Sequence, residues 1–133
     1  MDAMEGCSSL VGKVKEVHAD TRRTISELNG SDFSVQLFKV YQSNLPLGKH
    51  AHRARMETFT ILCGEGFVLI CTVDGQGNKL GIPERHELTA GSVIHIPPHV
   101  AHTFYLSPGT EMHCYSSAAF DPSDFIQAPF LVV

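Results

Sequence analysis

The chain has 133 residues, 43% of them apolar and 18% charged, with a net charge of −4. That length suits one domain with a real core, and the absence of a basic cluster argues against nucleic acid or an anionic membrane as a partner. No stretch reaches the ~20 apolar residues that span a bilayer, and residues 1–12, with Asp2 and Glu5 and no apolar run, do not read as a secretory signal.

Residues 1–9 read as loosely attached. A first strand is expected over 10–17, then a polar stretch over 18–31 that ends in the Asn29–Gly30 turn signal. Residues 33–41 are β-formers throughout and predict a strand. The 43–49 loop, with Pro46 and Gly48, delivers the chain to His50. Strands follow over 58–63 and 67–73, joined at Gly64–Glu65–Gly66. The run Asp74–Gly75–Gln76–Gly77–Asn78 is the strongest turn signal in the chain. Short strands are expected over 79–82, 85–88, 93–96, 102–106 and 111–117. Asp121 and Pro122 predict a short capped helix through Gln127. Many short strands at regular turn spacing, with almost no helical periodicity, predict an all-β sandwich or barrel. There is no internal repeat.

Alternate side chains of a strand share a face, so His50 and His52 are expected side by side. Glu57 heads the apolar run that follows, where a carboxylate is out of place unless something binds it. Two imidazoles and a carboxylate on neighbouring strands suit a transition metal. A fourth ligand candidate, His102, follows the Pro97–Pro98 turn. Cys7, Cys63, Cys71 and Cys114 are widely spaced with no C-x-x-C pair. Cys63, Cys71 and Cys114 sit in apolar runs and read as small core residues, and four reduced cysteines suit the cytoplasm.

With these positions in view, the sequence resembles a cupin. The first motif of that family sets a glycine, His-x-His, a glutamate and a second glycine at fixed spacing. His50, His52, Glu57 and Gly64 match its last four positions, while Asn44 stands in place of the leading glycine. In the second motif Gly91, Pro97 and His102 match, His99 stands where the family has glycine, and Leu106 where it has asparagine. His tolerates positive φ better than most residues, so His99 need not break the turn. The resemblance implies a single cupin (jelly-roll) β-barrel spanning 1–133, its core over about 30–120, with short extensions at both ends. It also implies one divalent transition metal (Fe, Mn, Zn, Ni, Co or Cu) on His50, His52, Glu57 and His102, a small-molecule substrate and, by analogy of size, a homodimer.

Phe59 and Ile61 share the face of Glu57, and Phe104 shares that of His102; these three are expected to wall the cavity. His95, His113 and Tyr115 are further cavity candidates, though the inward face of their strands stays open. His18 and His86 read as solvated. Arg53 and Arg55 read either as a solvated loop or as an anion clamp. Residues 46–52 and 117–126 are also similar to small nucleotide-sugar 3,4-ketoisomerases, cupins that use the histidine pair for metal-free proton transfer. That likeness would make His50 and His52 acid and base, with Glu57 as a departure from the group. Three functions are therefore weighed: a metal-dependent cupin enzyme of oxygenase, isomerase, lyase or cyclase type; the ketoisomerase; and a non-catalytic cupin that binds a small ligand or metal.

Overall fold

The computed structural model describes residues 11–42, 46–118 and 121–133. The expected loose segment 1–9, Cys7, Leu10 and Asn44 lie outside them. Among the described residues eleven strands form two antiparallel sheets: β1 (Lys15–Ala19), β2 (Arg23–Asn29), β3 (Ser34–Val40), β4 (Leu47–His52), β5 (Glu57–Cys63), β6 (Glu65–Thr72), β7 (Glu84–Thr89), β8 (Val93–Ile96), β9 (Val100–Leu106), β10 (Glu111–Ser116) and β11 (Phe125–Gln127). The first sheet runs β1-β2-β3-β10-β5-β8 and the second β11-β4-β9-β6-β7. The arrangement is the jelly roll expected of a cupin, as a sandwich of two sheets that do not join into a closed barrel among the described residues. No helix among the described residues is long and apolar enough to cross a membrane.

Local chemistry explains most of the elements. In β5 the alternation is complete: Glu57, Phe59 and Ile61 are buried, and Thr58 and Thr60 less so. In β10 it is Met112, Cys114 and Ser116 that turn inward. Strand β9 is buried along nearly its whole length because one face meets the core and the other is covered by the C-terminal segment, where Ala128 and Leu131 pack with Ala101 and Tyr105 and Thr103 Oγ1 donates to Leu131 O at 2.7 Å. Phe59, Ile61, Val68, Leu88, Ile96, Phe104, Leu106 and Met112 join in one core between the sheets.

Several expectations change. The polar stretch over 18–31 contains β2, which pairs with β3 residue for residue from Arg23↔Val40 to Asn29↔Ser34. Backbone pairing makes that strand, because only Ile25 and Leu28 supply large apolar side chains within it. The expected strand over 79–82 reduces to one bridge, Val73↔Lys79. The expected helix stops at a 3-10 turn over Pro122–Asp124, capped where Ser123 N donates to Asp121 Oδ1 at 2.9 Å. Residues 125–127 instead extend along β4, pairing Phe125↔His52 and Gln127↔His50. Cys71 and Cys114 are buried as expected, but Cys63 is exposed, on the solvent end of β5.

Two backbone features position the site. Gly48 has φ +118, and a Cβ there would come 2.5 Å from His102 O. With Lys49 also at positive φ, the chain bulges just before His50. The bulge resets the register so that His50 pairs directly with His102 on β9. His99 does take the left-handed conformation at φ 63, as its place in the turn requires.

Candidate metal centre

His50 and His52 come from β4, His102 from β9, and Glu57 from the start of β5 in the facing sheet. One ligand atom from each lies within 4.8 Å of the others. His52 Nε2 is 3.0 Å and His102 Nε2 3.3 Å from Glu57 Oε1. Ligands about 2.1 Å from a shared ion stand about 3 Å apart when adjacent and about 4.2 Å when opposite. The two contacts to Glu57 Oε1 have the adjacent spacing.

The outer nitrogens fix the tautomers. His52 Nδ1 donates to Asp124 Oδ2 at 3.0 Å, His50 Nδ1 to Gly48 O at 3.0 Å, and His102 Nδ1 to Val100 O at 3.4 Å. Carbonyl and carboxylate oxygens only accept, so each neutral ring presents the Nε2 lone pair inward. Those lone pairs converge on a carboxylate, which also has nothing to donate. His52 Nε2 and Glu57 Oε1 are close but not aligned as donor and acceptor; both are buried without a hydrogen bond. A cluster of inward acceptors needs a cation. By this test the four residues fit a divalent transition metal, and the group is able to hold one ion.

The electrostatics agree. Burial lowers the His50 pKa to about 4, with His102 and His52 adding to the effect and Glu57 opposing it. Burial also lowers His102, against the pull of Glu57. For Glu57, burial pushes upward, but the His52 and His102 rings at its oxygens, helped by Arg55, hold it down at about 2. At neutral pH His50, His102 and Glu57 are thus in their metal-binding forms. Cys114 Sγ donates to the other Glu57 oxygen at 3.5 Å, and burial followed by Glu57 raises that thiol far above its ordinary value. It is a fixed neutral donor to the carboxylate.

A cavity of about 170 Å³ opens beside the cluster, lined by His50, His52, Glu57 and His102 together with Phe59, Phe104 and Phe125. The Phe125 ring lies 4.9 Å from His50 and 4.7 Å from His52, and Phe59 lies 5.4 Å from His102. Phe59 and Phe104 are among the residues that line this cavity. Ile61 is buried on the same face but deeper, in the core. Three candidates face elsewhere. His113 and Tyr115 occupy the outward parity of β10, with Tyr115 47% exposed and stacked on Phe33. His95 is exposed on β8, where it meets Thr58 Oγ1 at 2.9 Å. Sequence reasoning missed Asp124 as the partner of His52, because no motif spacing ties two residues 72 positions apart. It also missed Phe125 and Arg23 as cavity residues; Arg23 entered through a strand it did not foresee.

Comparison with known proteins fits this architecture. Residues 50–129 match the model of the AraC-like ligand binding domain, and the chain belongs to that family. The structure is similar to the capsular polysaccharide assembling protein CapF from Staphylococcus aureus, at TM-score 0.70 and 17% identity over 91% of this chain and 33% of that one. This chain therefore spans about a third of the CapF chain's length. It is also similar to a variant of PAC13 from Streptomyces solved with uridine, at TM-score 0.61 and 14% identity over 81% and 79% of the two chains. A third neighbour is the TDP-fucose-3,4-ketoisomerase WlaRA from Campylobacter jejuni, at TM-score 0.60 and 15% identity over 72% and 67%. These are cupin folds. No curated protein sequence matches the chain.

Proposed function

We propose that this protein holds one divalent transition metal on His50, His52, Glu57 and His102 and acts as a metal-dependent enzyme on a small polar molecule in the adjoining cavity. The observation that carries this reading is the convergence of three imidazoles on one buried carboxylate, with His52 Nε2 and Glu57 Oε1 buried, close and not aligned in a hydrogen bond. Four protein ligands leave one or two positions open on a five- or six-coordinate ion, where it can polarise a bound oxygen or acidify water. His₃Glu does not choose among Fe, Mn, Zn, Ni, Co and Cu. The chain's own residues do the rest: Asp124 holds the His52 ring, Cys114 fixes one oxygen of Glu57, and Phe59, Phe104 and Phe125 limit water. That PAC13 was solved with uridine supports a small-molecule ligand for the fold. The test is elemental analysis of protein purified without a metal-affinity tag, followed by activity screening of metal-loaded and chelated samples. Stoichiometric metal, with turnover lost on chelation and restored by particular ions, is the expected result.

One observation favours a second reading, sugar ketoisomerisation. The His52–Asp124 pair is also how a general base is oriented, and WlaRA is a ketoisomerase by name. On that reading His50 and His52 move a proton beside a ketone, chelators have no effect, and Glu57→Gln is tolerated. Full turnover by demetallated protein would promote it over the first. Loss of metal dependence together with absence of any turnover would instead leave the family's ligand-binding role.

A further inference from the structure

Two arginines in the cavity wall carry buried donors that the cluster does not engage. Arg55 is only 5% exposed, yet its Nε and Nη2 are buried with no hydrogen-bond partner. Arg23, reaching in from β2, brings a buried and unpartnered Nε and Nη1 to the same cavity. Neither guanidinium forms an ion pair with a carboxylate among the described residues. The neighbouring Arg53 is different: it is exposed and donates to Gly75 O at 3.1 Å.

A guanidinium is permanently charged, and burying it unpaired is strongly unfavourable. Burial works against the charge on Arg23, and Arg22 beside it adds to this, with Asp20 as the opposing carboxylate on its own turn. Glu57 is the carboxylate whose field Arg55 feels, and it is committed to the cluster. With a dication in place, the cavity holds a large positive excess. The Nε and Nη2 of Arg55 form one edge of the guanidinium, two parallel donors that match the two oxygens of a carboxylate. The cavity, at about 170 Å³, lies below the roughly 300–1,000 Å³ of sites for drug-sized ligands. That favours an acid of a few carbons over a nucleotide diphosphate.

We infer that Arg55, backed by Arg23, is the anion-binding end of the cavity, and that the ligand is a small carboxylic acid lying between this edge and the His50–His52–Glu57–His102 cluster. The inference deepens the proposed function and rests on its reading of the cavity as a small-molecule site. The test is calorimetric titration of pyruvate, malonate and inorganic phosphate into metal-loaded and chelated protein. Wild type is compared with Arg55→Met and Arg55→Lys, and metal content is measured separately on every sample. The acids should bind wild type better than phosphate does. Arg55→Met should weaken them by about 30-fold or more, keep its metal, and melt no lower than wild type, because a buried unpaired charge is gone. Arg55→Lys should restore binding only in part, since an ammonium is a point charge without the paired edge; if Arg55→Met does not fold, this variant decides alone. Equal binding by wild type and the Arg55 variants, tighter binding of phosphate than of either acid, or no binding of either acid would overturn the inference. Acid binding through Arg55 in a protein that takes up no metal would sustain it and refute the metal reading. Stoichiometric metal with no acid binding would do the reverse.

Discussion

His102 and His113 both lie mid-strand in a β-rich run, and they meet opposite fates. His102 on β9 is 2% exposed, at the heart of the cluster, while His113 on β10 faces out of the first sheet. The chemistry of the side chain does not decide this. Strand parity does: in β10 the neighbours Met112 and Cys114 turn inward and force His113 to the other face. In β9 both faces are covered, so no position is solvated, and the Gly48 bulge then places His50 opposite His102. A histidine becomes a ligand candidate here by the register of its strand, not by its presence in a β-run.

The strongest way to break this comparison is substitution at both positions. His102→Ala should reduce metal occupancy at micromolar metal by about 100-fold or more in affinity, on the scale of losing a ligand rather than its outer support. His113→Ala should leave metal content unchanged. Full occupancy in His102→Ala, measured by elemental analysis after dialysis, would remove it from the ligand set.

The next effect separates holding a ring from merely having one. Asp124 Oδ2 fixes His52, and its Oδ1 accepts from Ala54 N at 2.8 Å. Asp124→Asn should weaken metal binding about 10–100-fold, with a modest fall in melting temperature from the altered turn. If the metal affinity of Asp124→Asn matches wild type, the His52 ring is oriented by packing against Phe125 instead.

The legibility of the two regions differs for the same physical reason. His50, His52 and Glu57 could be read as a group because strand alternation is a local property of the chain, whereas His102 was tied to them through the resemblance to the cupin motifs. The alternating faces of β5 and the glycine-marked turns were legible likewise. Asp124 and Arg23 were not, since their roles depend on which distant strands pair. Strand β2 was hidden because its polar sequence carries little hydrophobic pattern and takes its structure from β3. The faces of His95, His113 and Tyr115 were left undecided although a parity signal was there: Ile94 with Ile96, and Met112 with Cys114, form the more apolar set of each strand, and that set turns inward.

A pH titration of the chelated protein sharpens the contrast between buried and solvated rings. An unfolded His binds a proton near pH 6.5, whereas folded His50 does so only near 4, because of burial. Between those values the unfolded state holds the extra proton, so unfolding becomes easier as the pH falls. Stability of the metal-free protein should therefore drop from about pH 6.5 to about pH 4, by on the order of 3 kcal/mol from His50, with His102 adding in the same direction. Glu57, held at about 2, contributes a separate loss below about pH 4.5. Denaturant midpoints measured against pH should show the first window flattened in His50→Gln. An unchanged slope in that variant would mean that His50 does not carry the linkage.

The smallest effect compares two cysteines that the sequence had treated alike. Cys71 is 3% exposed on β6, packed with Leu69, Val73 and Tyr105, and its thiol points at Thr72 O and Gly81 O at 3.5 and 3.6 Å. Cys63 ends β5 in solvent, with Gly109 O and the Glu111 carboxylate as its neighbours. Serine at 71 exchanges a weakly polar atom for a hydroxyl that is shorter and more strongly hydrated, at long range from its carbonyl acceptors. Cys71→Ser should cost about 1–2 kcal/mol of stability. At 63 the hydroxyl stays in water, and the change should lie within about 0.5 kcal/mol. Neither substitution should alter metal content, because neither thiol reaches the cluster. Equal losses at the two positions, measured by urea denaturation, would mean that the outward end of β5 is covered in solution, with a second copy of this chain the first candidate to look for by sedimentation.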